Sequence, residues 1–534
     1  MSNSLQCRHL FDCFCYPMTL ISFFKRHGLV RASQMLAAGV VATLTGCAQT
    51  LPQNDKATSY SYVDNHDTAL YQYAKPYTQA HPGKTGFYPL ADGRSAFLAR
   101  LATIEGAQKS LDVQYYIYRD DETSKLMTWY LHQAAERGVR VRLLLDDMQS
   151  RDDDALASLS AHPNVEVRLF NPFANRSIKQ VGFLHDFGRL NRRMHNKAII
   201  ADGTFAITGG RNIGDEYFSA NNSVEFGDFD LLLVGKVVPE VAKQFDTYWN
   251  STPAIPIESL VDDIHLPTQD QINQWRTAQM KYLQESEYAQ SLKSHPMVQK
   301  LMANSLPFYW ADATLNYDSP YKVLDKTNDL LMHDLALAIK EAKTDFVLVS
   351  PYFVPTKQGA ELLANSAKKG LNVTVVTNSL ASNDVFAVHG WYAKYRDIML
   401  KGGVKLYETK VDPKHKAKRS LVGSSRTSLH AKSFVIDNRK VFVGSFNFDP
   451  RSAYLNTEMG IFVDSPEFAE VVNKDLNKLL TKTAYRLTLD DDDDGDIVWH
   501  DDETGETFTS EPDSSVWLKM GAWFAGALPI ESQL

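Results

Sequence analysis

Apolar and polar positions along the chain fall into two registers, and the same order of registers occurs twice. KSLDVQYYIY (109–118) is an apolar run of strand length. DETSKLMTWYLHQAAERG (121–138) then sets Leu126, Met127, Tyr130, Leu131 and Ala134 at helical spacing and stops at Gly138, after which VRVRLLLDD (139–147) reads as a buried strand. About 235 residues later TDFVLVSPYF (344–353), PTKQGAELLANSAKKG (355–370) and LNVTVVTNS (371–379) repeat the order, with Gly370 as the stop. Strand, helix, strand implies parallel neighbours with helices on the faces. Two copies predict an α/β fold of two pseudo-symmetric lobes, each a mostly parallel sheet flanked by helices.

A second repeated pattern lies inside each copy. HNKAIIADGTFAITGG (195–210) and HAKSFVIDNRKVFVGS (430–445) are paired short apolar strands around Asp202-Gly203 and Asp437-Asn438, which predicts two hairpins. Between the copies, DQINQWRTAQMKYLQESEYAQSL carries a helical pattern, so 255–343 reads as a helical linker that packs between the lobes. The expected organisation is then a first lobe at 86–254, a second at 344–485, and an acidic hairpin and C-terminal helix at 486–534. The tail SSVWLKMGAWFAGALPIESQL is apolar enough for a packed helix or an interfacial one, and packing on the body is the favoured reading.

Composition limits the class. With 44% hydrophobic and 11% aromatic residues in 534, the chain is globular, which argues against disorder and against a multi-span membrane protein. All four cysteines lie at or before Cys47, so a cysteine metal site is excluded from the body. Lys25, Arg26 and Arg31 precede MLAAGVVATL and then LTGC, the order of a cleaved secretory signal. Residues 1–46 are expected to be that signal, with Met18 a better start than Met1, and residues 47–85 a polar tether. Residues 1–46 hold four of the 56 basic and one of the 64 acidic residues, so the chain from Cys47 has 52 and 63, a net of −11. That balance argues against a broad nucleic-acid-binding face. The run LDDDDDGDIVWHDDETGETF lacks the ligand spacing of a calcium loop and reads as a solvated hairpin.

The candidate chemistry sits on the hairpins. His195, Lys197, Asp202, Gly209, Gly210 and Asn212 recur with identical spacing as His430, Lys432, Asp437, Gly444, Ser445 and Asn447. Residues two apart on a strand project together, so each copy offers one imidazole and one ammonium to a common space. The small pairs Gly209-Gly210 and Gly444-Ser445 would let backbone N–H groups approach an anion, with Asn212 and Asn447 donating amide hydrogens to it. Asp228 and Glu458 follow, each a candidate to orient the histidine of its own copy. Asp202 and Asp437, in the turns, read as structural. Tyr115, Tyr116, Tyr352 and Phe353, at matching strand ends, are candidates for core or for a cleft lining.

The paired His-x-Lys, Asp and Gly-[Gly/Ser]-x-Asn pattern resembles the phospholipase D superfamily, and LTGC resembles a bacterial lipobox. YYIYRDD (115–121), HGWYAKYRDIMLKGGVKLYE (389–408) and LPIESQL are similar to bacterial cardiolipin synthases of the C type. The resemblance implies two phospholipase D-like lobes with the active site at their interface, no metal or other cofactor, and a phosphohistidine intermediate with His195 as nucleophile and His430 as general acid/base. It implies phospholipid substrates, phosphatidylglycerol and a second lipid such as phosphatidylethanolamine, joined by phosphatidyl transfer. Hydrolysis to phosphatidic acid, or less favoured a nuclease, are the alternatives. Cys47 would carry a lipid anchor, holding the enzyme on the inner or outer membrane of a bacterial envelope and facing the periplasm. Basic residues before each motif, Arg189, Arg192 and Arg193 and then Lys414 to Arg426, would face anionic head groups.

Overall fold

The computed structural model describes residues 51–52, 56–62, 65–149, 152–220, 225–261, 267–327, 330–411, 427–490 and 495–534. The signal segment, Cys47 and the basic run from Lys414 to Arg426 lie outside the described residues.

Each repeat folds around three parallel strands. In the first lobe these are Ser110–Tyr115, Arg140–Asp146 and Val165–Phe170; in the second they are Asp345–Val349, Asn372–Asn378 and Lys405–Thr409. The helix between the first two strands is fixed at both ends. Asp121 accepts from Ser124 N and the Ser124 hydroxyl closes a capping box, while Gly138 at φ +90° takes the left-handed turn that ends the helix. The hairpins Ala198–Ala201 with Phe205–Gly209, and Ser433–Ile436 with Lys440–Gly444, lie antiparallel to the first strand of each triplet. The sheet is therefore mixed rather than mostly parallel, because hairpins supply half of each lobe and a hairpin can only be antiparallel.

The region 255–343 departs furthest from the sequence reading. Three helices, Gln269–Glu285, Glu287–Lys293 and Pro296–Met302, pack on the first lobe alone: Trp275 meets Trp129 edge-on at 5.1 Å, and Tyr288 and Leu292 enter that lobe's core. The link between lobes is instead a strand, Tyr309–Tyr317. Its first three residues pair with Thr85–Phe87 of the first lobe, and Asp312–Tyr317 pair with Asp464–Met459 of the second. One sheet of 18 strands thus runs through both lobes. A shared core follows, joining Phe87, Ala198, Ile200 and Leu233 to Val441, Val443, Ile461 and Phe468.

The expected tether is a strap. The carbonyls of Ala57, Ser59 and Tyr60 accept from Arg168, Arg142 and Arg140, and Ser61 bonds Asp112 and Asp246. Buried guanidiniums on central strands need acceptors, and this polar segment provides them. A helix, Ala69–Ala80, capped by Thr68, leads into the first strand. The acidic hairpin likewise belongs to the body: Ala484–Leu489 and Ile497–His500 extend the second lobe's sheet, with Lys410 on Asp501 and Arg486 on Asp502.

Candidate active site

The hairpin turns hold the motif in place. Asp202, at φ +50°, is fully buried and accepts from the backbone N–H groups of Gln108, Lys109 and Ser110 at 2.7–3.2 Å. Asp437, at φ +54°, does the same for Lys343, Thr344 and Asp345. Each carboxylate ties its hairpin to the start of the lobe's first strand, far end from the histidines.

At the other end, His195 and His430 are both 7% exposed and lie just before the first hairpin strand. Their acids are crossed between the lobes. His195 Nδ1 lies 2.8 Å from Glu458 of the second lobe, and His430 Nδ1 lies 2.5 Å from Asp228 of the first. The expectation that each acid serves its own copy's histidine is overturned, because the acid-bearing segments pair across the interface. Thr427–Leu429 runs parallel to Glu225–Gly227, His430 N donates to the Gly227 carbonyl, and His195 N donates to the Thr457 carbonyl.

These bonds set the tautomers. The Ser445 carbonyl, 3.1 Å from His195 Nδ1, can only accept, so Nδ1 carries the hydrogen and Nε2 keeps its lone pair. Burial, with Lys197 and Lys432 nearby, pushes the His195 imidazole well below its ordinary value. Burial and Lys432 push His430 down to about 4 against the pull of Asp228. Burial raises Glu458 to about 7. It would raise Asp228 as well, but the His430 ring and Lys432 more than offset it, so that carboxyl sits below its usual range. Burial also lowers Lys197 to about 7 and Lys432 to about 8. Both ammonium groups donate to the carbonyl of their own histidine, and Lys432 Nζ also lies 3.0 Å from the His430 ring.

The small pairs have a different job from the one expected. The N–H of Gly210 bonds the Phe229 carbonyl and that of Ser445 the Met459 carbonyl, so neither cradles an anion. What they provide is room: a Cβ on Gly210 would sit 2.0 Å from Asp228 Oδ1, and one on Gly444 2.4 Å from the Met459 carbonyl. The Ser445 hydroxyl donates to Glu458 Oε2 instead of to a ligand. The shorter acid thus stands beside the glycine and the longer one beside the serine. Asn212 is also partly committed, accepting from Ile117 N and donating to the Tyr217 hydroxyl, whereas the buried Asn447 Oδ1 has no partner among the described residues.

Tyr116 stands edge-on to His195 at 5.0 Å and Tyr217 edge-on to His430 at 5.2 Å. Tyr115 and Phe353 are core, while Tyr116 and Tyr352 are half-buried. Sequence reasoning missed Tyr217 and also Asp318, whose buried carboxylate accepts from Glu458 N and Lys322. Tyr217 follows Asn212 by five residues, but serine holds the matching place in the other copy, so the repeat gave no signal.

Comparison with known proteins places both repeats in one family. The family described as cardiolipin synthase, PLD-like domain, matches residues 101–249 and 335–480, one stretch per lobe. Cardiolipin synthase C of Escherichia coli (strain K12) is 40% identical over 467 residues, 85% of this chain and 98% of that one. A cardiolipin synthase of Clostridium perfringens is 25% identical over 405 residues, 75% of this chain and 71% of its own. The crystal structure of phosphatidylserine synthase from Haemophilus influenzae Rd KW20 superposes at a TM-score of 0.53 over 86% of this chain and all of that one, at 14% identity, which is a likeness of fold. Two His-x-Lys hairpins facing one another with exchanged acids, and a match over both repeats, identify the chain as a member of the phospholipase D-like cardiolipin synthase family.

Proposed function

We propose that the protein is a phosphatidyltransferase that makes cardiolipin from phosphatidylglycerol and a second phospholipid. The observation that carries this reading is the crossed pair of buried imidazoles, each with Nδ1 on a carboxylate and a lysine beside it. A neutral His195 attacks the phosphodiester through Nε2, forming a phosphohistidine and breaking the bond to the leaving alcohol, which takes a proton from His430. His430 then accepts a proton from the incoming hydroxyl of the acceptor lipid as that oxygen attacks phosphorus, and His195 is released.

The roles follow from the partners. Asp228 stays ionised and favours a cationic His430, the state a general acid needs, whereas burial with Lys197 and Lys432 nearby keeps His195 neutral against the pull of the Ser445 carbonyl. Binding of an anionic phosphodiester supplies the negative charge that lets His430 take up its proton. Lys197, Lys432, Asn212 and Asn447 would stabilise the non-bridging oxygens; removing one such donor costs about 3–4 kcal/mol in comparable sites. The LTGC sequence supports a lipid-anchored, periplasm-facing enzyme of a bacterial envelope, attached through Cys47.

The test incubates the protein with labelled phosphatidylglycerol, with and without phosphatidylethanolamine. Cardiolipin is the expected product, and His195→Ala and His430→Ala should each abolish it. Rapid acid quench should trap label on the parent protein but not on His195→Ala. Phosphatidic acid as the sole product would make the enzyme a hydrolase; no histidine-dependent turnover of either lipid would end the phospholipid reading.

A further inference from the structure

The C-terminal helix, Val516–Ala527, is amphipathic with its faces reversed. Ala522, Ala525 and Gly526 are the buried residues, and they pack on the helix Phe386–Ala393, where the Gly526 N and the Ala522 carbonyl crowd Gly390. Val516, Trp517, Met520, Trp523 and Phe524 point into solvent, with Trp517 79% and Trp523 76% exposed. Their spacing of three, four and seven residues makes one continuous outer stripe without a charge. Phe386 and Val385 continue it on the neighbouring helix. An exposed apolar patch of this extent on a folded body marks an interaction surface.

A second such helix, Lys179–Leu190, exposes Ile178, Leu184 and Phe187 and runs directly into the segment that carries His195. The two helices are stapled together at the catalytic segments. Asn191, four residues before His195, donates to Gln533, and the Leu534 carbonyl accepts from the N–H of Arg451, four residues after Asn447. The helix Phe386–Ala393 follows the strand Asn372–Asn378, whose last residue, Asn378, brackets Leu429, the neighbour of His430. The exposed apolar residues of both lobes are thus tied by hydrogen bonds to segments beside both histidines.

We infer that the outer stripe of Val516–Ala527, with Val385, Phe386 and the exposed residues of Lys179–Leu190, is the surface on which the enzyme seats on a phospholipid bilayer, with the catalytic cleft opening between its two parts. The inference rests on the phospholipid reading above and names how those substrates reach the histidines. Tryptophan and phenylalanine suit the bilayer interface, where one side of the ring is apolar and the other wet. Lys394, stacked over Trp391 at 3.5 Å, and Lys519 border the stripe with cations for anionic head groups. A lipid anchor at the end of a polar segment would tether the body without orienting it, and a second contact would turn the cleft toward the lipid.

The test uses the full chain with Cys47→Ala, so that no acyl group masks the second contact, and vesicles of phosphatidylcholine and phosphatidylglycerol in equal parts. The parent should sediment with the vesicles and shift its tryptophan emission to the blue. A Trp517→Ser, Trp523→Ser, Phe524→Ser variant should lose roughly tenfold or more of that binding. It should still turn over dispersed short-chain phosphatidylglycerol at near the parental rate, which shows an intact fold. A Leu184→Ser, Phe187→Ser variant should lose part of the binding in the same way. Equal vesicle binding by parent and variants would overturn the inference. So would a parent that ignores vesicles and forms a dimer which the serines dissolve. Stripe-dependent vesicle binding without turnover of either lipid would leave this surface standing and end the functional reading instead.

Discussion

His195 and His430 have equivalent places in the repeat but unequal partners, and the inequality lies in Gly210 against Ser445 and Asp228 against Glu458. Gly210→Ala puts a methyl group into the Asp228 carboxylate, which must move off His430 Nδ1. We expect a fold-intact protein whose kcat falls roughly 100-fold, the scale of a lost acid/base contribution; an unchanged kcat would show that Asp228 does not orient His430. The pH dependence has a definite sign. His195 acts neutral and lies well below its ordinary value, so its protonation should depress kcat/KM only well below 6.5, whereas His430 acts protonated with a value of about 4, so its loss of the proton adds to the fall as pH rises. Lys197 and Lys432 are lowered to about 7 and about 8, so the charge that holds phosphate oxygens is lost as pH rises through that window. A profile of kcat/KM in dispersed lipid should therefore fall from pH 7 to 8 and above; a rising limb there would refute the charged clamp.

The hairpin is the element that carries the motif, and its turn aspartate is its mooring. In Asp202→Ala three backbone N–H groups lose their acceptor in a buried setting, which should cost about 2–4 kcal/mol in denaturant unfolding. Asp437→Ala should cost less, since its turn is more exposed. Backbone N–H groups hold the Asp437 carboxyl below its ordinary value despite burial. Its contribution is thus present above the unfolded value of 3.8 and is lost as pH falls through the lower folded one. Asp437→Ala should therefore lose its deficit against the parent in acid.

At the scale of the whole molecule, the strand Tyr309–Tyr317 makes two lobes into one body. Its Ala311 and Ala313 lie in the core shared by both. Calorimetry should therefore record a single unfolding transition, and Ala313→Asp, which buries a charge in that core, should lower it as a unit. Two resolved transitions in the parent would show that the lobes are independent. Unity matters for the chemistry because neither lobe holds a complete site: each histidine takes its acid from the other.

The sequence by itself determined the two α/β units, the hairpins and every member of the repeated motif, because local periodicity and exact spacing are properties of the chain alone. It also made Tyr115 and Tyr116 visible as strand-end aromatics. It did not separate them, since which side of a sheet is cleft depends on what packs there. The bridging strand YWADATLNY alternates along its length, with Asp312, Thr314 and Asn316 as its polar positions, but it follows three helices and its pairing with both lobes is not a local property. The strap was hidden because polar residues that serve buried arginines look like linker until the arginines are located. The exchange of acids between His195 and His430 was decided by tertiary structure alone: pairing of Glu225–Gly227 with Thr427–Leu429 joins segments about 200 residues apart, and no local pattern records a contact whose two halves are fixed only when the shared core closes.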